Sequence, residues 1–282
     1  MALLLLTACG GQSAKDEAAG SDRSADPGDP ATWVLPLQAY LPDPEQEDLL
    51  FQSLEDAKAA CMARFGFDYR PAKPLPDFGP DTLTDLRYGI HDRQVAETYG
   101  YKPAGDMDAY QEEMRQAMEA NTLTAAEEAA MTGEGGGKAE LPEGGCAGEA
   151  HRRIYGTDDQ VSTLAMDLSN QAYTKAKKTE PVQKVFRSWS QCMAKRGYSY
   201  DEPLDAPSDP AFAAPKAEPA EIATALADLE CRDEYRVAEV WFDTETRLQR
   251  ELAEQHIQEL QEAGQVLETA LKAAARTKAT GS

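Results

Sequence analysis

A nine-residue phrase occurs twice in this chain: "CMARFGFDY" from Cys61 to Tyr69 and "CMAKRGYSY" from Cys192 to Tyr200. Five of the nine positions are identical, and Arg64/Lys195 and Phe67/Tyr198 are close matches. Both copies follow apolar residues at helical spacing, and both place a glycine before an aromatic residue. A helix end leaves carbonyls without partners, and a left-handed glycine just past the end lets the following N–H groups turn back onto them. With Gly66 in that position, Phe67 follows it and Met62 is the residue it packs upon; with Gly197, the pair is Tyr198 and Met193. Each phrase therefore predicts a helix stop with a hydrophobic clasp. Tyr69 and Tyr200 should lie on the same side of an extended exit segment as Phe67 and Tyr198. A reactive cysteine would need a nearby His or a basic field. Neither phrase contains a His, so the reading of Cys61 and Cys192 is structural.

Apart from Cys9, the cysteines are Cys61, Cys146, Cys192 and Cys231. None sits in a C-x-x-C pair and no His lies at ligand spacing, which argues against zinc. An even number suggests two disulfides with three possible connectivities. The preferred pairing is Cys61–Cys146 and Cys192–Cys231, because each pair then begins with one copy of the phrase. Each second cysteine also opens a similar segment, "CAGEAHRR" and "CRDEYRVA", with Glu three residues on. In the chain-entropy model these loops contribute about 4.5 and 4 kcal/mol.

The rest of the chain is punctuated as helices. Asp43-Pro44 with Gln46 is a capping box, and Leu50, Leu54, Ala57, Cys61 and Phe65 share one face of the helix it opens. Residues 68–85 are rich in Pro and turn residues and read as loop. A short helix follows Asp92 and closes at Gly100; another runs from about Asp106 to Ala120 with Met107, Tyr110, Met114 and Met118 on one stripe. Thr124 with Glu127 caps the next, before Gly133. "CAGEAHRRIYG" is a short helix, and a further one is capped by Thr157 or Asp158. Thr179-Glu180-Pro181 opens the helix of the second phrase, with Val182, Val185 or Phe186, Trp189 and Cys192 on its apolar face. From Pro219 nearly to Arg276 the chain reads as strongly helical. Ile222, Leu226 and Leu229 form one stripe, and Leu248, Leu252, Leu260, Leu267 and Leu271 another, with Gly264 a weak point. "FDY" and "YSY" are the only candidates for very short paired strands. The fold class is mainly α, built as two pseudo-repeated helical halves stapled by disulfides, with a long C-terminal helix.

Lys plus Arg number 28 and Asp plus Glu 50, a formal net charge of -22. A field of that sign repels nucleic acid and anionic lipid headgroups, so no nucleic-acid partner is expected. The run "GEGGGK" falls one residue short of a phosphate loop, Ala139 stands where a magnesium-binding Ser or Thr belongs, and no strand precedes it. There is no G-x-S-x-G and no H-E-x-x-H, and His91, His151 and His256 are scattered. No carboxylate pair stands in a setting that marks it as catalytic. No catalytic, cofactor-binding or metal residues are assigned.

The chain opens "MALLLLTACGGQ". Leu6-Thr7-Ala8-Cys9-Gly10 resembles the lipobox of bacterial lipoproteins, in which the Cys becomes the acylated, palmitate-bearing first residue. No basic residue precedes Cys9 and the apolar run is short for a signal peptide, so a start upstream of Met1 is expected. Residues 10–32 are rich in Gly, Ser, Asp, Ala and Pro and should form a disordered tether with a reach of roughly 25 Å. With "LPLQAYLP", "YGI", "ETYGY", "GGCAGEA", "LECRDE" and the two repeated phrases, the lipobox and tether make the chain similar to uncharacterised lipoproteins of actinobacteria. That resemblance implies a cell-envelope location and no particular activity.

The expected organisation is a lipobox segment (1–9), a tether (10–32), a first helical half (33–156), a second (157–276) and a frayed tail (277–282). The expected function is a non-catalytic binding or scaffold module on the extracytoplasmic face. It would be held to the membrane by lipid on Cys9 and would bind an envelope protein or cell-wall polymer. The alternative is an extracytoplasmic enzyme with a site built from scattered carboxylates and tyrosines.

Overall fold

Helix starts in this chain are written in local chemistry, and the computed structural model of the chain follows them. It describes residues 28–280 apart from 135–140, 158 and 160. Cys9 with its lipobox, the tether up to residue 27, residues 135–138 of the glycine run, Asp158 and residues 281–282 lie outside the described residues. Asp43 accepts from the Gln46 amide at 2.9 Å while the Gln46 side chain accepts from the Asp43 amide, so α1 (Pro44–Arg64) opens with a reciprocal capping box. Asp92 caps α2 (Arg93–Tyr99) and Asp106 caps α3 (Met107–Ala120). Thr124 and Glu127 cap α4 (Ala125–Thr132) reciprocally. Then come α5 (Gly145–Tyr155), α6 (Leu164–Lys177), α7 (Glu180–Lys195), α8 (Pro219–Tyr235), α9 (Val237–Gln255) and α10 (Ile257–Thr280). No strand is formed among the described residues, so "FDY" and "YSY" do not pair; each runs over its own hydrophobic cluster instead. No helix among the described residues is long and apolar enough to cross a membrane.

Several boundaries differ from those expected. Order begins before Trp33: Asp29 accepts from the Ala31 amide and holds a single turn at Pro30–Thr32, so the last residues assigned to the tether belong to the body. The helix expected to start at Thr157 or Asp158 starts at Leu164, because the Thr157 hydroxyl donates to Asp159 and closes a local turn. The C-terminal run is helical as expected and ends in the long helix α10, but it is divided into three helices. Arg236 takes left-handed φ 52° between α8 and α9, and His256 separates α9 from α10. Neither break carries a Gly or Pro. The tail from 277 to 280 continues α10.

Both disulfides join the preferred partners, Cys61 to Cys146 and Cys192 to Cys231, with Cα separations of 5.5 and 5.8 Å. The first staples α1 to α5 and the second α7 to α8. The packing does not divide at residue 156, however. α10 leaves the second half and lies against α1 and α5, while α2 leaves the first half and lies against α8. One cluster, around Leu50, Ile154, Ala270 and Ala274, therefore combines residues from both ends of the chain. The largest cluster gathers Trp33 and Tyr88 from the first half with Phe186, Trp189, Trp241 and Phe242 from the second. α3 stands apart: none of its residues is buried, Tyr110 stacks on Phe78 from the Pro-rich loop at 4.6 Å, and Met118 is 61% exposed.

α10 runs through Gly264 without interruption, and a β-carbon there would meet nothing within 4 Å. Gly264→Ala should therefore raise stability by about 0.5–1 kcal/mol, since Ala restricts the unfolded chain and fits the helix. Urea unfolding followed by circular dichroism should show a higher midpoint with an unchanged slope.

Candidate functional site

The repeated phrases are helix stops. The Phe67 amide donates to the Met62 carbonyl at 3.1 Å and the Gly66 amide to that of Ala63 at 3.1 Å. The Tyr198 amide donates to Met193 at 3.0 Å and the Gly197 amide to Ala194 at 3.1 Å. This is the doubly bonded Schellman geometry, with Gly66 at φ 84° and Gly197 at φ 93°. Met62 and Met193 are fully buried, and Phe67 and Tyr198 pack against the clusters that contain them. In each copy an arginine at the helix end pairs with a glutamate close to the partner cysteine: Arg64 with Glu149, and Arg196 with Glu230. The exit segments are also clamped by side-chain bonds. The Tyr69 hydroxyl donates to Glu55 at 2.7 Å, and Glu55 takes the Ala72 amide as well; the Tyr200 hydroxyl donates to Asp209 at 2.7 Å. Burial alone would raise the Glu55 carboxyl, but hydrogen bonds from Lys58, Tyr69 and Ala72 outweigh it and hold the pKa below the ordinary value. These groups are occupied in architecture, although Tyr69 and Ala72 also border a small surface hollow of about 160 Å³ beside Asn121 and Glu127.

Side chains capable of acid–base chemistry converge elsewhere, in two buried networks that the sequence reading did not anticipate. The first surrounds Arg232 on α8. Its Nε donates to Asp228 at 2.7 Å, Nη1 to the Tyr88 carbonyl at 2.5 Å and Nη2 to the Pro203 carbonyl at 2.6 Å. Asp228 is fully buried and also accepts from Trp189 Nε1 at 2.7 Å and from the Tyr101 hydroxyl at 3.1 Å. The second surrounds Glu245 on α9, also fully buried. Arg87 reaches it through Nε and Nη2, the Tyr88 hydroxyl at 2.9 Å and Gln249 Nε2 at 2.8 Å. Gln249 then accepts from the Leu37 amide at 3.0 Å and donates to Ser169 at 3.1 Å.

One short segment serves both networks. Arg87 and the Tyr88 ring go to Glu245, the Tyr88 carbonyl goes to Arg232, and Thr84 donates to the Trp33 carbonyl at 2.7 Å. Gly89 makes the arrangement possible: a β-carbon there would lie 2.2 Å from Arg232 Nη1. Gly100 does the same for buried Glu221, which would meet a β-carbon at 2.9 Å and accepts from the Tyr101 amide at 3.0 Å. The motifs "YGI" and "ETYGY" are thus the places where buried charges of α8 pass close to backbone. The expected α8 stripe is corrected accordingly. Leu229 is buried, but Ile222 and Leu226 are only half-buried, and the innermost positions hold Glu221, Ala225, Asp228 and Arg232. The pairs Asp228/Arg232 and Glu245/Gln249 stand four apart, and that spacing was the available signal.

These networks hold their phenols protonated. Burial first, then the facing carboxylates, push Tyr88 and Tyr101 above the ordinary tyrosine range. Burial pushes Tyr173 up to about 12, with Arg87 stacked 4.7 Å over its ring working against the rise. Such phenols donate hydrogen bonds and are poor bases. The histidines are separate. His91 lies between Asp85 at 2.7 Å and Asp29 at 3.2 Å, His151 contacts the Asp159 carbonyl, and His256 is near Glu259. Among the described residues no three His, Cys, Asp or Glu side chains come together as metal ligands. The Asp233 carboxyl is raised, by burial and then by repulsion from Glu239, but it stands on the surface at the end of α8.

The open concavities lie at the surface. One, of about 350 Å³, has Leu41, Pro42, Val161, Val266 and Leu267 in its lining and Asp159, Glu259 and Glu262 beside them. A second, of about 690 Å³, shares Leu41 and Pro42 and adds Leu83 and Met166, with Asp43, Glu47, Asp77 and Asp81 around them. No known protein-family model, curated protein or solved structure matches the chain.

The two kinds of glycine should respond differently to substitution. A β-carbon at Gly66 meets nothing within 4 Å, so Gly66→Ala should cost only the left-handed backbone penalty, about 1–2 kcal/mol. Gly89→Ala must also displace a buried guanidinium and should cost at least about 3 kcal/mol. Equilibrium urea unfolding of the two variants checks the difference. Glu55→Gln tests the first clamp. A depressed carboxyl stabilises the fold above its unfolded pKa and loses that contribution as pH falls through the folded one. The variant should be about 1–3 kcal/mol less stable at neutral pH. Its deficit should narrow as pH drops below about 4.5, measured by unfolding across pH.

Proposed function

We propose that this chain is a lipid-anchored module on the extracytoplasmic face of the cell envelope that binds a partner and catalyses no reaction of its own. The observation that carries this reading is where the polar chemistry lies. Glu221, Asp228 and Glu245 are buried and engaged by Arg, Lys, Tyr, Trp or backbone donors, and none of them lines either groove. A general acid or base must reach its substrate's proton directly or through one water, and these groups face protein on every side. The grooves that do face outward combine aliphatic floors with carboxylate rims, a surface suited to recognition.

Two disulfides suit an oxidising compartment. The lipobox around Cys9 and the polar tether that follows supply an anchor and a leash, and the resemblance to actinobacterial lipoproteins points the same way. Acylation holds a protein at a membrane through about 0.8 kcal/mol per buried CH₂, with two or more chains needed for firm retention. The partner is an envelope protein or a cell-wall polymer.

Expressed with a complete leader, the chain should fractionate with membranes and incorporate labelled palmitate, while Cys9→Ser should appear in the soluble extracytoplasmic fraction. A Cys9→Ser protein that stayed in the membrane fraction would overturn the anchor. In-cell crosslinking of the anchored protein should recover a partner; tight binding of a small molecule with no partner recovered would overturn the binding-module reading.

A further inference from the structure

The grooves that share Leu41 and Pro42 discriminate among occupants by charge. Among the described residues, their linings contain no Lys, Arg or His. Among the described residues, Glu47, Asp77, Asp81 and Glu262 have no ion-pair partner, whereas Asp43 is engaged as the α1 cap and Glu259 lies 3.5 Å from His256. Two of the exposed large apolar side chains of the body stand here: Val161, 45% exposed, and Met166, 36% exposed. An anionic polymer, an anionic lipid surface or a second copy of a chain with net charge -22 would be repelled. A neutral apolar ligand would leave the carboxylates without partners. An occupant that satisfies both features carries aliphatic side chains and cations on one continuous segment.

Resting on the binding-module reading, we propose that these grooves dock a basic amphipathic segment of a partner protein. Its aliphatic side chains lie on Leu41, Pro42, Val161 and Met166, and its Lys or Arg side chains meet the flanking carboxylates. This is helix-in-groove recognition, with charge complementarity setting specificity and association rate.

The test uses the full chain and, as probe, a synthetic helical peptide with Lys on one face and Leu on the other. Binding should saturate. It should weaken about tenfold or more in the Asp81→Lys/Glu262→Lys variant and in Met166→Glu, a loss typical of removing charge pairs and an apolar anchor. Asp108→Lys/Glu113→Lys on α3 makes the same change in net charge and should leave affinity unaltered. All of these positions are exposed or at the surface, and unchanged circular dichroism and melting will establish that the variants fold. The proposal is overturned by lack of saturable binding, by equal weakening from the α3 pair, or by equal binding of a Lys peptide with no Leu. A photo-crosslinker at position 118 or 166 separates this failure from that of the broader reading. A partner captured only from 118 removes the groove and leaves a binding module; capture of a basic, aliphatic peptide from 166 supports the groove. No protein from either position, together with tight binding of a small molecule, removes both.

Discussion

The guanidinium of Arg232 is the point on which the larger body of the molecule turns. It is almost completely buried and is satisfied only if α8, the segment around Tyr88 and the loop at Pro203 all arrive in register. Shifting any one of them strands a charge in a low-dielectric interior, a penalty of several kcal/mol. Well-packed apolar groups of the same volume would give comparable stability but would tolerate more than one arrangement. The second network repeats the logic. Glu245 gathers Arg87, Tyr88 and Gln249, and Gln249 in turn receives the Leu37 amide, so the N-terminal strap is fixed to α9. Residues 82–91 thread between the two networks, and this explains why a first-half loop contributes to second-half packing.

What could be read in advance was local. The caps at Asp43, Asp92 and Thr124, the two Schellman stops and the disulfide partners depend on residues near one another in sequence, or on a pattern stated twice. The breaks at Arg236 and His256 were not legible because neither residue type signals a stop; Arg236 takes its left-handed conformation where α8 turns into α9. The inward face of α8 was misjudged for a related reason. A stripe of Ile222, Leu226 and Leu229 is a sound apolar pattern, but Asp228 and Arg232 neutralise one another at one turn's spacing. Trp189, Tyr101 and Tyr88 then complete their hydrogen bonds from distant parts of the chain. Burial of a charge is decided by such third parties. The same holds for Gly89 and Gly100, whose need for space becomes visible only when the side chains crossing them are known.

The division of chemistry between interior and surface shapes the functional reading. The carboxylates, phenols and guanidinium groups of the two networks are closed circuits that hold the backbone in place. At the grooves, Glu47, Asp77, Asp81 and Glu262 have no ion-pair partner among the described residues and sit beside aliphatic side chains, so this part of the surface has interactions left to make. α3 has no buried residue, and its Tyr110 stacks on Phe78 of the Pro-rich loop, so it stands outside both networks.

The exchange of helices between the two halves bears on how the chain comes to be folded. α10 comes far later in the chain than α1 and α5, yet it seals their cluster. An emerging chain therefore cannot close its N-terminal body domain by domain as it leaves the ribosome. It must wait for α10. A polypeptide handed across a membrane unfolded, and oxidised only afterwards, meets that requirement naturally, because all of its parts reach the far side before any half has had to stand alone.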